Sequence, residues 1–124
     1  ICPELGIKKA IMHYKSVLKN NAKFDLVLLG MGEDGHTASL FPNHVYNIND
    51  SVVAEYNSPK FPKERISLSY SQLNKSKYVY KLISGIKKSQ ALNLWIKGKS
   101  LPINKITGES ESVYISNDIL LGVI

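Results

Sequence analysis

The residues best suited to chemistry lie in one stretch of the chain, FDLVLLGMGEDGHTASLFP. Gly30 and Gly32 let the backbone turn sharply and come close to a ligand. Asp34, Gly35 and His36 follow directly. A histidine can take a proton from water near neutral pH, and an acid two residues earlier can orient its ring. The stretch therefore predicts a proton-transfer site with His36 as general base and Asp34 as the acid that orients it.

The same stretch predicts the elements that would position these groups. Residues 26–29 form a short, continuous apolar run, which is typical of a buried strand in a parallel sheet. We expect a helix to begin within residues 37–41 and to be limited by Pro42. Strand, glycine-rich turn and helix N-terminus is the arrangement in which open α/β sheets bind ligands at the carboxyl ends of their strands. Backbone N–H groups of residues 32–35 would then stabilise charge on a substrate.

The run GMGEDGHTASLFP, which begins at Gly30, resembles the signature of 6-phosphogluconolactonases, the second enzyme of the oxidative pentose phosphate pathway. The resemblance implies hydrolysis of 6-phospho-D-glucono-1,5-lactone to 6-phosphogluconate. His36 would draw a proton from the attacking water, and Asp34 would orient its ring. Gly30, Gly32 and Gly35 would form the turn that meets the substrate. The resemblance implies no metal and no organic cofactor.

Two other functions are compatible with the same fold. Glucosamine-6-phosphate deaminases share the Gly-x-Gly-x-Asp-Gly-His core, but their pattern continues to an Asn-Glu pair before the proline. This chain has Leu40 and Phe41 at those places, which favours the lactonases. A non-catalytic sugar-phosphate-sensing domain would reuse the fold without turnover. The presence of Asp34 and His36 favours an enzyme over such a sensor.

Two basic residues outside this stretch are further candidates for substrate binding. The segment PKERISL is similar to a Pro-x-x-Arg-Ile-Ser/Thr-Leu segment of the lactonases, and its Arg65 could bind phosphate oxygens through two N–H groups. Lys88 falls on the lysine of a Gly-x-x-Lys segment after a predicted strand, where an ammonium could reach a phosphate. Both residues also fit solvated surface positions in a lysine-rich chain.

Composition limits the class of protein. With 124 residues, 44% hydrophobic and 21% charged, the chain forms one globular domain at most, and no apolar run is long enough to span a bilayer. The single cysteine, Cys2, rules out an internal disulfide and suits a reducing compartment, so we expect a cytoplasmic protein with no membrane partner. The formal charge of +6 suits a phosphorylated substrate. The lysines are dispersed and form no basic run with interleaved aromatics, so we expect no nucleic-acid partner.

Metal binding is not expected either. His44 lies eight residues after His36, too far for the i, i+4 pairing of a helical metal site. A second ligand at suitable spacing is missing around both histidines, and the chain has one cysteine. His13 falls in a predicted helix, where a partly exposed histidine without a site role is the simpler interpretation.

The whole chain predicts an α/β fold, modified Rossmann-like, with a mostly parallel sheet flanked by helices. We expect a helix over 1–21, strands at 52–56, 65–70, 78–84 and 113–116, a short helix or turn over 71–77 with Ser71 as a candidate cap, and a helix over 87–96 in which Trp95 is a core residue.

The resemblance also implies that the chain is incomplete. Lactonases of this kind are longer, and residues 1–124 match the C-terminal part of a single domain whose N-terminal half is missing. The Gly-Gly-Ser/Thr phosphate-binding turn and the Asp-Glu-Arg segment of that half do not occur in this sequence. An open sheet edge would make the isolated chain marginally stable and prone to association. Some lactonases are fused to a glucose-6-phosphate dehydrogenase domain, so fusion to or association with that enzyme is a further expectation.

Overall fold

Strands and helices alternate along most of the chain in a computed structural model, which describes residues 3–19 and 22–123. The strands are β1 (Leu26–Gly30), β2 (Val52–Glu55), β3 (Arg65–Leu68), β4 (Tyr78–Ile83) and β5 (Ser110–Ile115). The helices are α1 (Ile7–Leu18), α2 (Tyr70–Asn74), α3 (Ser89–Ile96) and α4 (Asn117–Val123). Among these described residues, no helix is both long and apolar enough to cross a membrane.

The central sheet has three parallel strands in the order β1-β4-β5, with Gly30 opposite Leu82 at one end. A separate antiparallel pair joins β2 to β3 and places Glu55 opposite Arg65. Because the strands of the central sheet are parallel, their carboxyl ends meet at one edge, and the turn after Gly30 lies there. The expected α/β fold with a mostly parallel sheet flanked by helices is confirmed.

The two faces of the central sheet differ in burial. On one face Val27, Leu29, Val79 and Ile83 are buried and form the core together with residues of α3 and α4. On the other face Leu26, Leu28 and Leu82 are exposed by 47%, 60% and 48% of their surface. The predicted strand of a parallel sheet is confirmed for residues 26–29, but it is buried at alternate positions only, because every second side chain of β1 points into the core.

One charged side chain lies wholly inside the core. Lys81 on β4 is fully buried, and its ammonium donates to Glu111 on β5. The same ammonium lies 5.0 Å from the centroid of the Trp95 ring, close enough for a cation–π contact. Trp95 packs against the core as expected. A buried charge persists because both contacts compensate for its lost hydration.

The expected helix near residues 37–41 is not formed. Thr37 and Leu40 instead exchange backbone hydrogen bonds of 3.4 and 2.9 Å across a tight turn, in which Ala38 has a φ of 49°. The Thr37 hydroxyl also donates to the carbonyl of Gly30 at 2.7 Å. Such a hydrogen bond from a threonine side chain to the backbone competes with helix formation. The turn after β1 therefore has no helix N-terminus at which an anion could bind.

Two helices also differ from expectation. α1 begins only at Ile7, because Gly6 has a φ of 78° and interrupts the preceding 3-10 turn, and residues 1, 2, 20 and 21 of the predicted helix lie outside the described residues. α2 is capped by Ser69 rather than Ser71, since the Ser69 hydroxyl accepts the Gln72 N–H at 3.1 Å.

Substitution of Leu28 tests the consequence of the exposed sheet face. Burying a leucine side chain contributes about 1.5–3 kcal/mol, so we expect Leu28→Lys to weaken self-association of the isolated chain by about tenfold or more. Sedimentation equilibrium measures the association constant. Val45→Lys is the control, because Val45 is 97% exposed but belongs to the loop after Phe41 and not to the central sheet. Equal association of the Leu28→Lys and parent chains would contradict this expectation.

Candidate active site

His36 lies in the turn that follows β1, at the carboxyl edge of the sheet. Its Nδ1 is 2.6 Å from the Asp34 Oδ1, and its backbone N–H donates to the same oxygen at 3.0 Å. An ionised carboxylate can only accept, so Nδ1 carries the proton and Nε2 keeps a lone pair. With only 16% of its side chain exposed, the ring is held in one orientation with its basic nitrogen directed away from Asp34.

Asp34 remains ionised at neutral pH. Partial burial alone would raise the pKa of its carboxyl, but hydrogen bonds from the backbone and ring of His36, and the positive charge that the ring has when it is protonated, outweigh burial and lower the pKa below its ordinary value of 3.8. The carboxylate is therefore available as acceptor for Nδ1 at any pH above that value. It would also stabilise an imidazolium formed during a reaction.

The glycines of the turn have separate structural roles. A side chain at Gly32 would place its Cβ 2.1 Å from the Cε1 and Nδ1 atoms of His36, so the imidazole occupies the space that glycine leaves open. Gly35 adopts a φ of 87°, which favours glycine. Gly30 has no atom within 4 Å of where its Cβ would lie.

Two N–H groups that we expected to face a substrate are used within the turn. The Gly32 N–H donates to the carbonyl of His36 at 2.8 Å, and the Gly35 N–H donates to the carbonyl of Gly32 at 3.0 Å. The expectation that backbone donors of residues 32–35 stabilise substrate charge is therefore wrong for these two groups. Their hydrogen bonds fix the turn that holds His36.

The ring of Phe41 packs against the imidazole of His36. Its side chain is almost fully buried, and its ring centroid lies 4.6 Å from that of His36. Phe41 stands where the deaminase pattern has a glutamate, so an apolar ring faces the histidine there. Its backbone N–H donates to the Tyr46 hydroxyl at 3.0 Å.

A second polar cluster joins the loop after Phe41 to the end of β2. The carboxylate of Glu55 is 4% exposed, and its Oε2 accepts from the Tyr46 hydroxyl at 2.6 Å and from Nδ1 of His44 at 2.7 Å. Its Oε1 accepts the Asn57 N–H at 2.7 Å. Burial would raise the pKa of Glu55, but these three donors outweigh it and lower the pKa. Burial and the hydrogen bond to Glu55 raise the pKa of Tyr46.

Sequence reasoning missed this cluster. The signal available to it was the succession of Phe41, His44 and Tyr46 in an otherwise polar loop, followed by Glu55 at the end of a strand. His13, in contrast, lies exposed on α1, as the simpler interpretation expected.

Arg65 lies near the site but binds the neighbouring loop. Its Nε donates to the carbonyl of Pro62 at 3.1 Å, and its Nη2 donates to those of Lys60 and Phe61 at 3.1 and 3.2 Å. Its guanidinium carbon lies 5.4 Å from the centroid of the Phe41 ring. Much of the guanidinium is thus engaged in holding residues 60–62 beside Phe41.

Lys88 ends a 3-10 turn, Ile86–Lys88, that follows β4. Its backbone N–H donates to the carbonyl of Gly85 at 3.0 Å. Since β4 is parallel to β1 and paired with it, Lys88 and His36 both follow strands at the same edge of the sheet. The side chain of Lys88 is half-buried, whereas that of its neighbour Lys87 is exposed.

Two open grooves are each lined in part by residues close to His36 in the chain, although His36 itself lines neither. One, of about 430 Å³, is lined by residues that include Glu33, Asp34, Lys60 and Lys99. The other, of about 510 Å³, runs along β1 and is lined by residues that include Gly30 and residues 37–39. Within residues 3–19 and 22–123, no group of three or more His, Cys, Asp or Glu side chains is placed to hold a metal ion.

The fold and the oriented histidine together define an α/β protein with a candidate acid–base site at the carboxyl edge of its parallel sheet. Residues 3–115 match the family of glucosamine-6-phosphate isomerases/6-phosphogluconolactonase. The chain belongs to this family.

Several relatives carry the lactonase name. The chain is 34% identical over 125 residues to 6-phosphogluconolactonase 4 of Saccharomyces cerevisiae, and this match covers 93% of this chain and 48% of the yeast protein. It is 39% identical over 114 residues to the GDH/6PGL endoplasmic bifunctional protein of Homo sapiens, covering 86% of this chain and 14% of that protein. The crystal structure of a 6-phosphogluconolactonase from Thermotoga maritima superposes with a TM-score of 0.68 and 32% identity, covering 90% of this chain and 50% of that one. The chain thus spans half or less of the length of these relatives.

Substitution of Gly32 tests how closely the turn holds the imidazole. We expect Gly32→Ala to displace the His36 ring and break its bond to Asp34, because the new methyl group would lie 2.1 Å from two ring atoms. Proton NMR of the intact protein detects the hydrogen on Nδ1, whose signal should disappear or shift. Gly30→Ala is the matched control, since that methyl group meets nothing within 4 Å. An unchanged Nδ1 proton signal in Gly32→Ala would show that the ring is held differently.

Proposed function

We propose that the protein carrying this chain is a 6-phosphogluconolactonase, which hydrolyses 6-phospho-D-glucono-1,5-lactone to 6-phosphogluconate in the oxidative pentose phosphate pathway. The observation that carries the proposal is the 2.6 Å contact between Nδ1 of His36 and Asp34, which orients Nε2 as a base. Membership of the family and the names of the relatives support it.

The proposed reaction uses His36 first as a base and then as an acid. Nε2 of His36 accepts a proton from water as the water oxygen bonds to the lactone carbonyl carbon. The imidazolium, stabilised by Asp34, then gives the proton to the ring oxygen as its bond to the carbonyl carbon breaks. A carboxylic acid and a hydroxyl result, and His36 is regenerated. Proton transfer by a positioned histidine typically contributes about 10²–10⁴-fold to the rate.

We propose that the phosphate of the substrate lies near Lys88 and Arg65. Lys88 follows β4 at the same edge of the sheet as His36, and a lysine binds phosphate as a point charge. Arg65 has committed its Nε and Nη2 to loop carbonyls, so it would contact the phosphate through Nη1. Of the three glycines of the motif, Gly30 would let the substrate approach the backbone, since no atom lies within 4 Å of where its Cβ would be, whereas Gly32 and Gly35 would serve the site by allowing the turn that holds His36.

The position of Phe41 argues against a deaminase. Ring opening by that class requires an additional acid, and the deaminase pattern has a glutamate where this chain has Phe41. Here a buried aromatic ring packs against His36 at 4.6 Å instead. A sugar-phosphate-sensing domain remains the other alternative and is distinguished by the absence of turnover.

We further propose that residues 1–124 form the C-terminal part of one larger lactonase-like domain. The exposed leucines of the central sheet support this, because a complete domain would cover such an apolar face. The name of the human relative, a GDH/6PGL bifunctional protein, supports fusion to or association with glucose-6-phosphate dehydrogenase. A single cysteine supports a reducing compartment such as the cytoplasm. We propose no cofactor for the reaction.

The decisive test measures hydrolysis of freshly prepared 6-phosphogluconolactone, over the spontaneous background, by the intact protein. We expect His36→Ala to lower kcat by about 10²–10⁴-fold, because the base is removed. His13→Ala is the control and should retain full activity, since His13 lies exposed on α1.

The outcomes separate the candidate functions. Release of ammonia from glucosamine 6-phosphate would favour the deaminase. An inactive parent that still binds sugar phosphates would favour the sensor. A His36→Ala variant that keeps most of the lactonase rate would preserve the reaction but exclude His36 as its base.

Lys88 is tested by comparing two lactones. We expect Lys88→Ala to raise KM for 6-phosphogluconolactone by about tenfold, the effect of losing one hydrogen bond to a charged group, with little change in kcat. The same variant should hydrolyse unphosphorylated glucono-1,5-lactone as the parent does. Lys87→Ala is the matched control at the exposed neighbouring position. Equal KM values for Lys88→Ala and the parent would exclude a phosphate contact.

A further inference from the structure

We propose that Glu55 is a positioning residue for His36. Glu55 does not contact the imidazole of His36. It binds Tyr46 and His44, and these two residues fix the Phe41 ring against which His36 packs. The inference deepens the proposed lactonase function, and its kinetic part rests on that function.

The first step is the carboxylate itself. Glu55 is 4% exposed at the end of β2, and each of its oxygens accepts at least one hydrogen bond. A buried carboxylate without such donors would be costly, so the cluster holds together only when all of its members are in place. Glu55 is therefore the fixed point from which the loop after Phe41 is held.

The second step is the hydroxyl of Tyr46. It lies 2.6 Å from Oε2 of Glu55 and 3.3 Å from the carbonyl of Ser39, so Glu55 takes its hydrogen. The hydroxyl oxygen then accepts the backbone N–H of Phe41 at 3.0 Å. Glu55 thus determines where the backbone of Phe41 is placed, through one shared oxygen atom.

The third step is the aromatic contact. The Phe41 ring lies between two imidazoles, with centroids 4.6 Å from His36 and 5.8 Å from His44. Glu55 binds His44 as well as Tyr46, so it holds both the ring that packs against Phe41 and the hydroxyl that accepts the Phe41 N–H. Residues 41–50 form no helix or strand, so these side-chain bonds take the place of a backbone ladder.

The consequence for the reaction is geometric. The Gly32 backbone lies against one side of the imidazole and Phe41 packs against it as well, so a shift of Phe41 frees the ring to move. A misplacement of about 1 Å at a reacting group can cost about 10²-fold in rate. Loss of Glu55 should therefore reduce kcat more than it changes KM, because Lys88 follows β4 and because Arg65, although it contacts Phe41, is also held by the carbonyls of residues 60–62.

The experiment compares Glu55→Gln and Tyr46→Phe with the parent in the intact protein. Both variants keep the shape of the side chain and remove the charge or the hydroxyl. We expect kcat for the lactone to fall by about tenfold or more in each, with a smaller change in KM. We also expect the ring-proton NMR signals of His36 to move, because they lie in the ring current of Phe41. Glu109→Gln is the matched control, since Glu109 is an exposed carboxylate paired with Lys23 before β5.

The NMR measurement does not need turnover and separates the two proposals. If the parent is inactive, the proposed function fails, while movement of the His36 signals in both variants and not in Glu109→Gln still supports positioning. Unmoved His36 signals overturn the inference whatever the rate does. A kcat equal to that of the parent in both variants also overturns it. The melting temperature of each variant shows whether a loss of rate comes from unfolding. All assays are carried out well below the lowest melting temperature of the set.

Discussion

The contact of the His36 ring with the Gly32 backbone and with Asp34 is the constraint on which the site depends. The imidazole occupies the volume that a side chain at residue 32 would need, and Asp34 holds Nδ1 at 2.6 Å. The turn can place these groups only because Gly35 adopts a left-handed φ and because the Gly32 and Gly35 N–H groups close it internally. A rigid turn of this kind orients a base before any substrate binds, which reduces the reorganisation that catalysis requires.

The central sheet explains both where the site lies and why the chain exposes apolar surface. Parallel strands bring the turns after β1 and β4 to the same edge, so residues far apart in sequence, such as His36 and Lys88, follow neighbouring strands. The same sheet buries only one of its faces in the part of the chain that the structure describes. The exposed leucines and the coverage of the relatives, half or less of their length, agree with a domain larger than this chain.

Residue 41 bears both on which reaction the site could perform and on how the His36 ring is positioned. A glutamate there, as in the deaminase pattern, would place a carboxylate beside His36, whereas Phe41 places an apolar ring at 4.6 Å. An aromatic ring can hold an imidazole by packing but cannot exchange a proton with it. The Phe41 ring must itself be held in place, and we infer that the buried Glu55 holds it through Tyr46 and His44.

The sequence by itself determined the elements that depend on local pattern. The apolar run before Gly30, the glycine turn, Asp34 and His36 were all identified from composition and spacing, as were β2, β4 and the α/β fold class. A local pattern could not exclude a helix at residues 37–41, because the Thr37 hydroxyl finds its acceptor on Gly30 only once the turn is folded. Only the tertiary structure decided that Glu55 meets Tyr46 and His44, since this depends on where the loop after Phe41 packs against β2. Periodicity reports which side chains share a face of one element, whereas hydrogen bonds between a loop and a strand depend on how separate segments pack.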